Sequence, residues 1–438
     1  MQVGTRIGWR SELAAKIAER RAKVGVVGLG YVGLPLLLHA RRAGYPVFGL
    51  DLDGERVAEL QAGRSYLTDV SHGELRKAGS FEVSTTDDGL HECDVIVVCV
   101  PTPLVEHQPD ISSIRAAAKG IAARLRRGNL VILESTTYPG TTEEVFRPIL
   151  ETSGLVAGRD FALAYSPERI DPGRDLEHLA TTPKVVGGLT SRCTELAAAF
   201  YLTFVDSVHT VSSPRQAEMA KLIENTFRHV NIALVNELAM AARGLDVDIW
   251  EAVEAASTKP FGFMPFWPGP GVGGHCIAVD PTYLSWRVGQ RSGHHINFIE
   301  YAQQVNARMP SYVVQRVSQA LNEHGLALRS SRVMAIGVTY KADVNDLRES
   351  PAMLVLKELA EAGARVSYHD PYVPEVSLGR RNLRSQQLSA AVLSKQDCVV
   401  LLTAHSKLNV AEIVERSALI FDARGVTRGL RAPNVVRL

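Results

Sequence analysis

Cysteine is scarce in this chain of 438 residues, and what there is does not pair. Cys93, Cys99, Cys193, Cys276 and Cys398 are odd in number, widely scattered and never in Cys-x-x-Cys spacing. That pattern excludes a disulfide framework and a structural zinc site, and it suits a reducing cytoplasm. Charge of one sign is missing too. A formal net charge of +1 gives no electrostatic hold on nucleic acid or an anionic membrane, and the short basic clusters Arg20–Lys23 and Arg124–Arg127 read as solvated helix ends. Val24–Leu38 is uncharged, but it is too short for a membrane span and contains four glycines and a proline. It also follows a charged, helix-like stretch that no secretory signal needs. No metal-ligand constellation, low-complexity segment or heptad repeat is visible. A soluble globular protein of about two to four domains is expected.

What is present starts with 23–28, a short Val-rich run that reads as a buried parallel strand. It opens into Gly28-Leu29-Gly30-Tyr31-Val32-Gly33, then a helical stretch over 34–43 ended by Gly44, then a second strand finishing in Asp51. Strand, Gly-x-Gly-x-x-Gly, helix, strand, acid is the order of a dinucleotide-binding unit. The first glycine permits the tight turn, the second lets pyrophosphate approach the backbone, and the third lets helix pack on strand. The helix N-terminus then faces the phosphates with its positive end. A carboxylate at Asp51 binds ribose hydroxyls and repels a 2′-phosphate, so NAD is expected rather than NADP. Arg56 either lies over the adenosine or is a solvated helix arginine.

Further buried strands are predicted over 94–100, ending at Pro101-Thr102-Pro103, and over 130–133, ending at Glu134-Ser135-Thr136-Thr137. Another, over 161–165, leads into Ser166-Pro167-Glu168-Arg169. Ligands bind at the carboxyl ends of such strands, so Thr102 and Thr136 border the nicotinamide or else cap the helices that follow. From Ser213-Pro214 a helix runs to about Arg243. On it Lys221 and Asn225 share one face, with Glu218 on the same stripe. A helix over 248–256 precedes Pro268–Pro281, read as a loop throughout, whose missing Cβ atoms let backbone approach a ligand. That loop delivers Cys276, the expected nucleophile. His275 reads as a packing residue. Asp280, just before Pro281, is either a proton-handling acid or a helix N-cap. From Arg332 the early pattern recurs: strand, loop, a helix starting at Ser350-Pro351, and a strand closing with Asp370. Here Tyr340, Lys341, Asp343, Asp346 and Arg348 replace the glycine motif, as for a second phosphate-bearing ligand held by side-chain cations.

Together these motifs, from Val-Gly-Leu-Gly-Tyr-Val-Gly-Leu-Pro through Glu-Ser-Thr-Thr-Tyr-Pro-Gly, Ser-Pro-Glu-Arg-Ile-Asp-Pro-Gly and Gly-Gly-His-Cys-Ile to Tyr-Lys-Ala-Asp-Val-Asn-Asp-Leu-Arg-Glu-Ser-Pro, resemble the UDP-glucose/GDP-mannose dehydrogenase family. The resemblance covers Lys23 to Arg428 and points to the UDP-N-acetylglucosamine 6-dehydrogenase branch, through Glu168–Gly173 and Lys259–Phe263. It implies an α/β chain with two doubly wound Rossmann-like domains joined by a long-helix central domain. The expected parts are an NAD-binding domain over 1–208, a helical dimerisation domain carrying catalytic residues over 209–325, and a nucleotide-sugar-binding domain over 326–438. It also implies NAD as cofactor, a nucleotide-diphosphate sugar as substrate, a homodimer, no metal, and no nucleic-acid or membrane partner.

Carried over by position, the resemblance makes Cys276, Lys221, Asn225, Asp280, Glu168 and Thr136 catalytic. It gives the cofactor Gly28, Gly30, Tyr31, Val32, Gly33, Asp51, Arg56, Thr102, Thr136 and Arg348. It gives the substrate Glu168, Arg169, Lys221, Asn225, Phe266, Gly273 and Lys341. Ala278, Thr282 and Asn345 depart from the family pattern and leave the sugar and base open. The implied reaction is oxidation of the sugar C6 alcohol to a carboxylate through a Cys276 thiohemiacetal and thioester, on UDP-N-acetylglucosamine, with UDP-glucose or dTDP-glucose as the alternative. Two rival readings are a two-electron hydroxy-acid dehydrogenase in which Cys276 is structural, and a nucleotide-sensing protein without turnover.

Overall fold

The computed structural model describes residues 8–67, 70–106, 108–169, 177–379, 381–430 and 432–438, with the side chains at 177, 178, 275 and 276 outside that description. Residues 170–173, part of the motif that marks the family branch, lie outside the described residues. The chain forms two compact units, one within Met1–Glu224 together with Thr282–Ser292, the other within Asn225–Pro281 together with Gly293–Leu438.

Among the described residues of the first unit, eight strands make one sheet. Uninterrupted apolar runs such as Val95–Val98 and Leu130–Leu133 are buried along their whole length, as strands covered on both faces must be. The order across the sheet is Val208–Val211, Lys184–Gly188, Ala162–Tyr165, Leu130–Leu133, Val95–Val98, Val24–Val27, Val47–Leu50, Glu82–Ser84. The six strands from Val24 to Tyr165 therefore stand in the 3-2-1-4-5-6 arrangement of a dinucleotide-binding sheet, and all of them are parallel. Chain direction reverses only at Lys184–Gly188, which pairs antiparallel with Ala162–Tyr165. The helix Trp9–Ala18 buries Leu13 and Ile17 in this core, and Lys16 pairs with Asp94 at 2.9 Å. It stops earlier than the pattern over 11–23 suggested, because Arg20 takes the left-handed conformation at φ 60°.

The second unit contains a fully parallel five-stranded sheet in the order Arg365–His369, Arg332–Ile336, Cys398–Leu401, Ile420–Asp422, Val435–Arg437. Counted along the chain this is 2-1-3-4-5, the other common doubly wound order. Alternate residues feed two cores: Val333 and Ala335 on one face, Met334 and Ile336 on the other. The helices Pro214–Arg243 and Ile249–Ser257 stand where the sequence predicts them, and Asp248 caps the second through the Trp250 and Glu251 amides. The helix Asn297–Glu323 has no counterpart in the sequence reading. It carries Pro310 in its interior, which argues against a helix when read locally.

Candidate functional site

In the first unit the glycine turn joins the strand Val24–Val27 to the helix Gly33–Arg42, at the point where the sheet order switches direction. Gly28 has φ +89°, and a Cβ there would lie 2.6 Å from the Cys99 carbonyl oxygen; one on Gly33 would lie 1.8 Å from the Gly28 oxygen. Both positions are closed to any side chain by the chain itself. Gly30 differs, since a Cβ there would meet nothing within 4 Å. Space is kept open over the middle of the turn, and the first turn of Gly33–Arg42 has no side-chain cap on its amides. An uncapped helix start beside an open glycine fits a pyrophosphate. Asp51, buried, accepts from the Leu29 amide at 2.7 Å and the Asp53 amide at 3.0 Å, which fixes its carboxylate at the turn. Arg56 sits 3.5 Å from Asp51 and over the Tyr66 ring, whose hydroxyl donates to the Leu29 carbonyl. Tyr66 lies outside the motif, so no local pattern announces it. These residues fit NAD.

The carboxyl ends of the next strands carry the polar groups singled out above. Thr102 is buried, and its carbonyl accepts from the Tyr283 hydroxyl. Thr136 is half-buried. Glu168, 4% exposed, stands 3.5 Å from Lys221, which is 5% exposed. Burial pushes the Glu168 carboxyl up; Lys221 and Lys184 pull it down but do not cancel the rise. Arg169 reaches Glu224 and the Pro183 carbonyl. Glu218 faces inward and accepts from the Gly140 amide and from the Thr142 amide and hydroxyl, closing the turn that follows Thr136 and Thr137. Burial raises its carboxyl to about 7 against those hydrogen bonds.

In the second unit the glycine-rich loop ends at Gly274, not at Pro281. The helix His275–Ser292 begins with His275 and Cys276 and takes in both Asp280 and Pro281. Two expectations are corrected by this. The stretch over 275–281 is helical, and Asp280 is not an N-cap, because five residues of the helix precede it. Its carboxylate instead accepts from Asn225 Nδ2 at 2.5 Å, both residues being buried. Pro281 gives up one helical hydrogen bond at this point.

The glycines of the loop are required first by packing within the protein. A Cβ on Gly269 would lie 2.6 Å from the Arg424 guanidinium, one on Gly273 2.6 Å from the Glu349 carbonyl, and one on Gly274 2.7 Å from the Tyr340 ring. The Gly269 amide donates to Asn236 and the Gly274 amide to the Arg348 carbonyl. Arg348 itself forks onto Asp346. Phe266 packs against the cluster of Val235, Ala239 and Trp250 and meets Phe227 edge to face. Lys341 is half-buried beside the turn that leaves Arg332–Ile336. The side chains of His275 and Cys276 lie outside the described residues.

The two acids that close the second strands of the two sheets invite comparison. Asp370, like Asp51, accepts from the amide just past the first strand, here Val338 at 2.8 Å. Its Oδ1 accepts from the Tyr372 amide, as that of Asp51 does from Asp53, and from the Val373 amide as well; unlike Asp51, it also receives His405 Nε2, at 3.0 Å. His405 Nδ1 accepts from the Asp343 amide, which leaves Nε2 as the ring donor toward Asp370. With each of its two oxygens already accepting from two protein donors, Asp370 has no capacity left for a ribose. That is the physical reason why the second sheet does not repeat the dinucleotide site.

An open glycine turn followed by a buried acid at the end of the second strand, on a sheet of this order, defines a dinucleotide-binding fold that suits NAD. Residues 22–205, 215–308 and 334–429 match, in turn, the NAD binding domain, the central domain and the UDP binding domain of the UDP-glucose/GDP-mannose dehydrogenase family. The chain belongs to that family, which makes it a dehydrogenase of nucleotide sugars acting on CH–OH. It is 41% identical over 411 residues to a UDP-N-acetyl-D-glucosamine 6-dehydrogenase of Pseudomonas aeruginosa, covering 92% of this chain and 96% of the relative. It is 34% identical to an NDP-N-acetyl-D-galactosaminuronic acid dehydrogenase of Ralstonia nicotianae, covering 92% and 96%. Among solved structures it resembles that of a UDP-D-ManNAc dehydrogenase from Pyrococcus horikoshii, with TM-score 0.85, 32% identity, and 95% and 98% of the two chains covered.

Proposed function

We propose that the protein oxidises the C6 alcohol of UDP-N-acetylglucosamine to a carboxylate, by way of a thioester on Cys276. The observation that carries the choice of sugar is the 41% identity, along nearly the whole chain, to a relative with that activity in its name. The chemistry rests on the buried pairs Glu168 with Lys221 and Asn225 with Asp280. Ionic and amide groups are rarely buried without a task, and these stand on elements that carry the family's catalytic positions.

Bound NAD supplies the hydride acceptor, one molecule for each of the two oxidations. The aldehyde left by the first oxidation has no hydroxyl on C6, so it cannot be oxidised again until something adds to it. Cys276 Sγ, as thiolate, bonds to C6 and leaves an oxyanion. Lys221 and Asn225, one turn apart on a single helix, donate to that oxygen. Loss of the remaining C6 hydrogen as hydride gives the thioester. Asp280 and Glu168 handle the protons and aim the water that breaks the S–C6 bond, returning the thiol and releasing the carboxylate. Thr136 supports the same polar set, Arg169, Phe266, Gly273 and Lys341 bind the sugar nucleotide, and Thr102 and Arg348 border the cofactor.

We assign residues 1–208, 209–325 and 326–438 to the NAD, central and nucleotide-sugar domains. The protein works as a homodimer in the cytoplasm. Ile223, Phe227, Leu234 and Leu238 form an exposed apolar stripe on the helix Pro214–Arg243 that supports self-association, and the buried unpaired thiols of Cys93, Cys99, Cys193 and Cys398 suit a reducing compartment. A panel of UDP-N-acetylglucosamine, UDP-N-acetylmannosamine, UDP-glucose and dTDP-glucose, scored by NADH release, tests the substrate. The highest kcat/KM is expected for UDP-N-acetylglucosamine, and a preference for any of the others overturns the assignment.

A further inference from the structure

Next to the Ser166-Pro167-Glu168 turn lies a second charged cluster that the mechanism above leaves unused. Lys184 opens the strand Lys184–Gly188, whose antiparallel pairing sets its first residue past the end of Ala162–Tyr165. Its Nζ donates to Glu134 Oε1 at 2.7 Å and reaches the Pro167 carbonyl at 3.4 Å. The Tyr201 hydroxyl donates to the same Glu134 oxygen, and Nζ stands 4.9 Å from the centroid of the Tyr201 ring. Lys184 and Glu134 are both buried. A buried ion pair of this kind seldom stabilises a fold more than apolar residues of equal volume, so its retention calls for another reason.

Position supplies one. Glu134 follows the strand Leu130–Leu133, and Lys184 holds the carbonyl of the residue bonded to Glu168, so the pair sits at the ligand-binding end of the sheet. Glu168 needs such support. One of its oxygens faces Lys221 at 3.5 Å, while Oε1 is buried with no hydrogen-bond partner among the described residues. We propose that Lys184 is the positioning residue for Glu168: it pins the Pro167 carbonyl that aims the Glu168 carboxylate, and its positive charge keeps that carboxylate ionised. Among the described residues, the charged and titratable groups that act on Glu168 are Lys221, Lys184, Glu134 and Cys99. Burial keeps the Cys99 thiol protonated and neutral, and Glu134 opposes ionisation, so Lys221 and Lys184 are the two groups that favour it.

This rests on the proposed use of Glu168 as a carboxylate. The test compares the full-length wild type with Lys184→Met, Lys184→Gln and Lys184→Arg, measuring the pH profile of kcat/KM, the NADH formed per sugar, and Tm. Losing the cation raises the pKa of Glu168, so the acidic limb of the profile moves to higher pH, by about one unit in the methionine and glutamine variants. Arginine returns it toward the wild-type position. The glutamine variant keeps donors for Glu134 and Pro167, and so covers the case in which the methionine variant does not fold. An acidic limb that stays at the wild-type pH, with only Tm lowered, overturns the proposal, as does a shift of the same size on a Glu168→Gln background. One NADH per sugar from the wild type overturns the thioester reading instead, and the two failures are told apart by that count.

Discussion

Asn225 donates its side-chain amide to Asp280 at 2.5 Å, with both side chains buried and Asp280 well inside a helix. A helix cap and a catalytic acid respond differently to asparagine, which is as good an N-cap as aspartate. Asp280→Asn is expected to keep Tm and helix content while lowering kcat by about a hundredfold or more. Steady-state kinetics beside circular dichroism check this. Unchanged turnover in the asparagine variant would remove Asp280 from the chemistry.

The glycines separate into two kinds, and one substitution of each kind tells them apart. Gly30→Ala places a methyl group in open space, so Tm is expected to stay near the wild-type value while NAD affinity, read by calorimetry, drops at least about tenfold. Gly273→Ala drives a methyl group into the Glu349 carbonyl and the Tyr340 side chain. Its expected effect is a loss of about 1–3 kcal/mol in unfolding free energy.

Much of this was legible in the chain. The parallel strands, the glycine turn with Asp51, and the second doubly wound half followed from apolar runs punctuated by glycine and closed by an acid, all of them local signals. The start of the helix at His275 was not, because proline at 281 and the glycines up to 274 both argue for loop until the chain packs on Tyr340 and Pro351. Tyr66 over the glycine turn, His405 filling Asp370, and Lys184 against Glu134 were hidden for a different reason. Each pairs residues tens of positions apart, and no periodicity reports such a meeting.

Glu218 should make stability depend on pH. Its folded carboxyl titrates at about 7, raised by burial from 4.5. A raised carboxyl stabilises the fold fully below the unfolded value, and that contribution is lost as pH climbs through the folded one. Between about pH 4.5 and pH 7 the unfolding free energy is expected to fall by roughly 3 kcal/mol on this account. Denaturant titrations of the wild type and Glu218→Gln across that range check it: the slope shrinks in the variant, and equal slopes would contradict the assignment.

Phe227 and Leu238 lie on the exposed stripe of the helix Pro214–Arg243. Charge placed there, as Phe227→Asp with Leu238→Arg, is expected to convert a dimer to a monomer in sedimentation without loss of helix content. A wild-type protein that sediments as a monomer would refute the dimer assignment.

The most direct test of the central claim counts electrons. With limiting UDP-N-acetylglucosamine, excess NAD and the wild-type protein, absorbance at completion should report two NADH for each sugar consumed, and Cys276→Ser should yield no uronic acid while still binding substrate. One NADH per sugar, or a serine variant that forms the acid at the wild-type rate, would contradict the passage of C6 through a bond to Cys276.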